Sequence, residues 1–123
     1  VLSSLVAQLA EKENAPSACV AIGALARRSD ANSIAIGEVP GIFDTLGALL
    51  WEGTSGCREH AVMALSRLAA IPANADRIAG VPGVFESLCA LLWDSPPKAK
   101  EASVIVLARL ARSSETNSVA MSR

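Results

Sequence analysis

The chain has 123 residues, of which 51% are hydrophobic and 19% charged, with a formal net charge of −1. That length fits one domain, and so apolar a composition excludes a disordered tail. The near-neutral balance leaves no electrostatic footprint for non-specific binding to nucleic acid or to a membrane surface.

Aromatic residues make up 3%, namely Phe43, Phe85, Trp51 and Trp93. Ala and Leu must therefore fill the core, which favours close-packed helices over a β-sandwich. His60 is the single histidine, so a site built on two imidazoles is excluded. Cys19, Cys57 and Cys89 lie far apart with no C-x-x-C pair, which excludes a zinc knuckle. Such thiols read as small core residues in a reducing compartment, the cytoplasm or nucleus. No apolar run approaches the ~18 residues of a membrane span; the longest, Ala18 to Ala26, is interrupted by Gly23. The chain starts at Val1 with no signal-peptide pattern, and the expectation is a segment of a longer protein.

In chain order, Leu2, Leu5 and Leu9 give a first helical stripe. A second helix is expected from near Pro16 to Arg28, with Asn14 as N-cap. A short helical turn follows from Asn32 to Gly37, and Pro40-Gly41 breaks it. The next helix runs from Ile42 to Trp51, with Leu46, Leu49 and Leu50 on one face. Another starts near Gly56 and ends near Ala70, stopped by Pro72. Asn74 to Gly80 is a second short turn, Pro82-Gly83 a second break, and Val84 to Trp93 the next helix. The last helix is expected from Pro97 to Arg112, with Ser95 as N-cap, and Asn117 opens a further turn.

The chain repeats itself. Pro40-Gly41-Ile42-Phe43 returns as Pro82-Gly83-Val84-Phe85, and Leu49-Leu50-Trp51 as Leu91-Leu92-Trp93, both at an offset of 42. Ala64 to Ala69 matches Val106 to Ala111 at 42, and Ala21 to Ala26 matches Ala64 to Ala69 at 43. An Asn with an apolar residue four on recurs as Asn32 and Ile36, Asn74 and Ile78, Asn117 and Met121. These anchors divide the chain into units 1–39, 40–81 and 82–123, the first lacking its opening segment and the last running into a next unit. Ala61, Val62, Ala64, Leu65, Leu68 and Ala69 make one helix apolar nearly all round, as expected of a helix sandwiched between neighbouring units.

The repeat length and residues resemble the armadillo family. The stretch Asn74 to Ile78, then Gly83-Val84-Phe85 with Leu88, Leu91 and Leu92, is similar to that family's joint between units. Ala61 to Ala69 resembles its third-helix signature, and Pro97 to Ala102 is similar to the third-helix entry of plant U-box ubiquitin ligases. The resemblance covers essentially the whole chain. It implies an all-α, right-handed α-solenoid of about three armadillo-like repeats, which binds an extended peptide or protein surface along the groove of its third helices. The family's groove Trp position falls on Val20, Met63 and Ile105, and its groove Asn position on Ala24, Arg67 and Arg109. With neither Trp nor Asn there, importin-like capture of basic peptides is not expected, because Arg can only donate where Asn donates and accepts.

Arg67 and Arg109 read as a two-rung cationic ladder for an acidic or phosphorylated segment, or as solvated arginines paired with Glu59 or Glu101. Val20, Met63 and Ile105 read as a shallow apolar strip or as inter-repeat core. Three units would give a groove of roughly 30 Å, room for about nine residues of extended peptide. His60 reads as a surface or partly buried side chain rather than a catalyst, since no motif ties a nucleophile to it. Trp51 and Trp93 read as repeat packing before interface anchors, and Lys12, Arg58, Lys98 and Lys100 as solvated helix ends.

The expectation is a non-enzymatic protein-interaction scaffold without metal or cofactor, binding neither nucleic acid nor membrane. The alternatives are an architectural segment of a larger complex and a substrate-binding adaptor domain of a ubiquitin ligase. End-to-end association is expected of an array whose end repeats lack polar outer faces.

Overall fold

A computed structural model describes residues 7, 8, 11, 14–52, 55–93 and 95–121, with the side chains of 52, 55 and 113–121 excepted. Among these residues there is no strand; Ala7 and Gln8 are helical, and seven α-helices follow: α1 (Ala15–Arg28), α2 (Asp30–Gly37), α3 (Ile42–Glu52), α4 (Ser55–Leu68), α5 (Pro72–Ala79), α6 (Val84–Trp93) and α7 (Pro97–Met121). Of the helix expected over Leu2, Leu5 and Leu9 only Ala7 and Gln8 are described, and both are helical; Leu2, Leu5, Leu9 and Lys12 lie outside the described residues.

The breaks between helices follow from single residues. Ser29 is extended (φ −161°, ψ 152°), and its Oγ accepts from Asn32 N at 3.1 Å, so it ends α1 and caps α2. Ile71 is extended before Pro72, which separates α4 from α5 in the same way. Gly41 and Gly83, at equivalent places, both have φ +78°, a left-handed conformation that side chains resist. At the first of these joints the chain turns through 87° between α2 and α3.

Three expectations are corrected here. Asn14 does not cap α1: its backbone is already helical, and its side chain donates to Glu11 Oε2 at 2.6 Å instead. Ser95 does not cap α7, because the helix begins at Pro97 and Lys100 N donates to Pro96 O at 3.0 Å. The last helix does not stop at Arg112 but runs on to Met121. Residues 113–121 contain no Pro or Gly to force a stop, and the helix passes through Ser114, which stands three residues before Asn117 as Ser29 stands before Asn32.

Packing repeats with the sequence. Helix α4 lies between α1 and α7 and touches both. The short helix of one unit packs against the long helix of the next, α2 on α4 and α5 on α7. Helices α3 and α6 touch each other, and each packs on the long helix that follows it, α4 and α7. The core runs through the row as one cluster, with Ile22, Leu46, Leu65, Leu88 and Leu110 all fully buried. Each such side chain contributes about 1.5–3 kcal/mol. Alanines at Ala18, Ala61, Ala64 and Ala102 keep the helices close.

Polar groups lock neighbouring units. Asn74 is buried, and its Nδ2 donates to Ser33 O at 3.0 Å and to Leu68 O at 3.1 Å. It sits so close to Gly37 that a Cβ there would overlap Asn74 Oδ1. Arg77 donates to Gly37 O at 2.6 Å across the same joint. Asn32 makes the matching bond within its own unit, Nδ2 to Leu25 O at 2.9 Å. Among the described residues no buried side-chain nitrogen or oxygen lacks a hydrogen-bond partner. Of the three thiols read as core, Cys19 and Cys57 are buried but Cys89 is exposed, on the solvent side of α6.

Candidate functional site

The three long helices α1, α4 and α7 carry all eight residues assigned to the groove. Their spacing of four residues along α4 and α7, from Glu59 to Met63 to Arg67 and from Glu101 to Ile105 to Arg109, keeps them along one side. On α1, Val20 and Ala24 are exposed. Met63 is half-buried against the core, so that apolar rung serves packing as well as surface. Glu59 is half-buried and Glu101 exposed.

Both arginines reach across to the unit before their own. Arg109 Nη1 donates to the Ser66 carbonyl of the preceding unit. Arg67 lies over the backbone of α1, its Nη1 2.9 Å from where a Cβ on Gly23 would stand. Gly23 and Ser66 are repeat-equivalent, so each arginine crosses to the same small residue of the unit before it. A larger residue at position 23 would push Arg67 off.

Where these arginines cross, the helices leave a cleft of about 400 Å3, whose lining includes Arg27, Asp30, Ser66, Arg67, Ile105 and Arg109. Arg67, Ile105 and Arg109 are brought together; Val20, Ala24, Glu59, Met63 and Glu101 do not line it. Arg27 was not singled out in the sequence. Its only signal there is the basic pair Arg27-Arg28 at the end of α1, one turn after Ala24. Three guanidinium groups against the carboxylate of Asp30 make the cleft locally basic. One N–H of Arg109 is committed to Ser66, and the other donors of its fork remain for an oxyanion.

Elsewhere the chemistry is quiet. Burial, then the neighbouring Cys57 thiol, pushes Cys19 up to about 12, and burial pushes Cys57 up as well. Both thiols are therefore held neutral and poorly nucleophilic. His60 is half-buried on α4. Among the described residues no three His, Cys, Asp or Glu side chains come together as metal ligands would. No single helix among them is long and apolar enough to cross a membrane. Trp51 lies over Gly83, its Nε1 3.3 Å from a Cβ position there, yet is still 56% exposed, and Trp93 is 86% exposed.

Comparison with protein-family models, curated proteins and solved structures finds no match to the chain.

Proposed function

We propose that the chain is a right-handed α-solenoid of three armadillo-like repeats, 1–39, 40–81 and 82–123, and a non-enzymatic protein-interaction scaffold. Its third helices α1, α4 and α7 form the groove, which takes an extended acidic or phosphorylated segment of a partner protein. The observation that carries this reading is the gathering of Arg27, Arg67 and Arg109, one from each unit, into one open cleft. Ile105 in the same cleft offers an apolar contact beside the charges. Three thiols with no disulfide among them support a reducing compartment, the cytoplasm or nucleus.

The test uses fluorescein-labelled nonapeptides of alternating Ser and Glu, with and without phosphate on the serines, read by anisotropy across a salt series. The acidic peptides bind, and Arg67→Ala with Arg109→Ala weakens them by about 0.2–1 kcal/mol per exposed charge pair. The double variant also flattens the salt dependence. Unchanged affinity and unchanged salt dependence overturn the reading.

A further inference from the structure

We propose that Cys19 and Cys57 form a modification site: oxidation by a peroxide joins them in a disulfide that ties the first unit to the second. The two thiols come from different units, Cys19 from α1 and Cys57 from the first turn of α4. They are 1% and 4% exposed, and they share a hydrogen bond in the seam where α1 packs on α4. Their repeat-equivalents are Val62 on α4 and Ala99 on α7, both buried, where α4 packs on α7. The fold thus fills these two positions with plain apolar side chains in one seam and with thiols in the other. Packing alone does not require sulfur here. Cys89 stands apart from the pair, exposed on α6.

The two thiols are not alike. Burial raises both, to about 12 at Cys19, where the charge of Cys57 and the shared hydrogen bond add to the rise. At Cys57 the same bond works against burial, as expected of a sulfur that accepts the Cys19 S–H. Cys57 is also nearer to solvent. Gly56 beside it is exposed, and a Cβ there would meet nothing within 4 Å. A peroxide therefore meets Cys57 first. The Cys57 thiolate attacks one peroxide oxygen and the O–O bond breaks. The products are a sulfenic acid on Cys57 and hydroxide, which takes up the proton that Cys57 gave up. The Cys19 sulfur then attacks Cys57 Sγ, the S–O bond breaks, and the hydroxyl leaves with the Cys19 proton as water. In sum two thiols are oxidised to one disulfide, and one hydrogen peroxide is reduced to two waters. The neutral thiols make the first step slow, and a reducing compartment returns the pair to thiols, so the tie is reversible.

The test uses the full 123-residue chain with Cys89→Ser, so that only one disulfide can form within a chain. The folded protein is treated with hydrogen peroxide, its remaining thiols are blocked in urea, and its tryptic fragments are weighed. The expected product is a crosslink between fragments 13–27 and 29–58, which hold Cys19 and Cys57, and dithiothreitol undoes it. The oxidised chain keeps its helical circular dichroism. Its thermal midpoint rises by roughly 10 °C, because the crosslink closes a loop in the unfolded chain. Two further variants in the same background separate the roles. Cys19→Ala leaves a sulfenic acid on Cys57 that dimedone traps, and Cys57→Ala leaves Cys19 unreacted. Thiols that both stay reduced in the folded chain overturn the proposal. So does a crosslinked chain with a lowered midpoint, which would mean that the bond forms only when the seam opens. Dimedone on Cys19 in the Cys57→Ala variant, with none on Cys57 in Cys19→Ala, overturns the order of attack.

Discussion

Asn74 is a polar side chain sunk in the seam between two units, where it ties Ser33 O in the unit before to Leu68 O in its own. Both carbonyls lose that donor in Asn74→Ala, and a buried acceptor left short costs about 1–3 kcal/mol. Asn32 makes a single, part-buried bond to Leu25 O, so Asn32→Ala is expected to cost less, about 1 kcal/mol. Gly37 is the socket for Asn74. A methyl there would overlap Asn74 Oδ1, so Gly37→Ala should cost about 1–3 kcal/mol by overpacking. The clash needs both partners. In the double variant Gly37→Ala, Asn74→Ala the new methyl enters space that the Asn side chain has left. Urea unfolding should then show the double variant less destabilised than the sum, by at least ~0.5 kcal/mol. Additive losses would mean that the two residues do not share the seam. The Asn at this place was legible in the sequence through its recurrence, but its partner was not. A glycine in a sequence announces a turn as readily as a socket, and Gly37 has an ordinary helical backbone.

At the scale of elements, the helices with strong punctuation were legible and those without it were not. Pro40-Gly41 and Pro82-Gly83 placed α3 and α6 at their starts, and Pro72 placed the end of α4 within two residues. The length of α7 was missed because the repeat carries a stop at Ser29 over to Ser114, and a serine without a proline or glycine beside it need not end a helix. The arginine crossings were missed too, since they depend on the distance between helices and not on spacing within one. The joints make a direct prediction. A Cβ on Gly41 would meet nothing within 4 Å, so Gly41→Ala is a clean test of the left-handed backbone, at about 1–2 kcal/mol. Gly83 has the same φ with Trp51 pressed against it, so Gly83→Ala should cost more. Equal thermal shifts in the two variants would remove Trp51 from the joint.

The α1–α4 interface carries a pH signature. Cys19 is held neutral by burial up to about 12, above the ordinary thiol value of 9.0. The unfolded chain gives up this proton first, so above pH 9.0 it binds fewer protons than the folded chain. Stability must therefore fall as pH rises from the unfolded value towards the folded one. One such thiol contributes a slope of at most ~1.4 kcal/mol per pH unit. Denaturation midpoints between neutral pH and the alkaline limit should decline in the parent chain and decline less in Cys19→Ala. An identical decline in both would assign the slope to other groups.

For the whole molecule, position in the row should matter more than residue type. Leu65 and Leu107 are repeat-equivalent leucines on long helices, one with a long helix on both sides and the other, among the described residues, with one on a single side. Leu65 is 1% exposed and Leu107 only half-buried. Leu65→Ala leaves a cavity in the buried core and is expected to cost about 3–5 kcal/mol. Leu107→Ala loses a half-covered side chain at a face that can relax, at about 1–2 kcal/mol. Against a typical domain stability of ~5–15 kcal/mol, the first loss is a large share and the second is not. Hydrogen exchange should separate them further. Leu65→Ala should speed exchange in α1, α4 and α7 together, because α4 is the third helix that joins the other two. Leu107→Ala should speed it in α7 and leave α1 protected. Equal costs for the two leucines in dilute solution would mean that the outer face of α7 is already covered within the single chain.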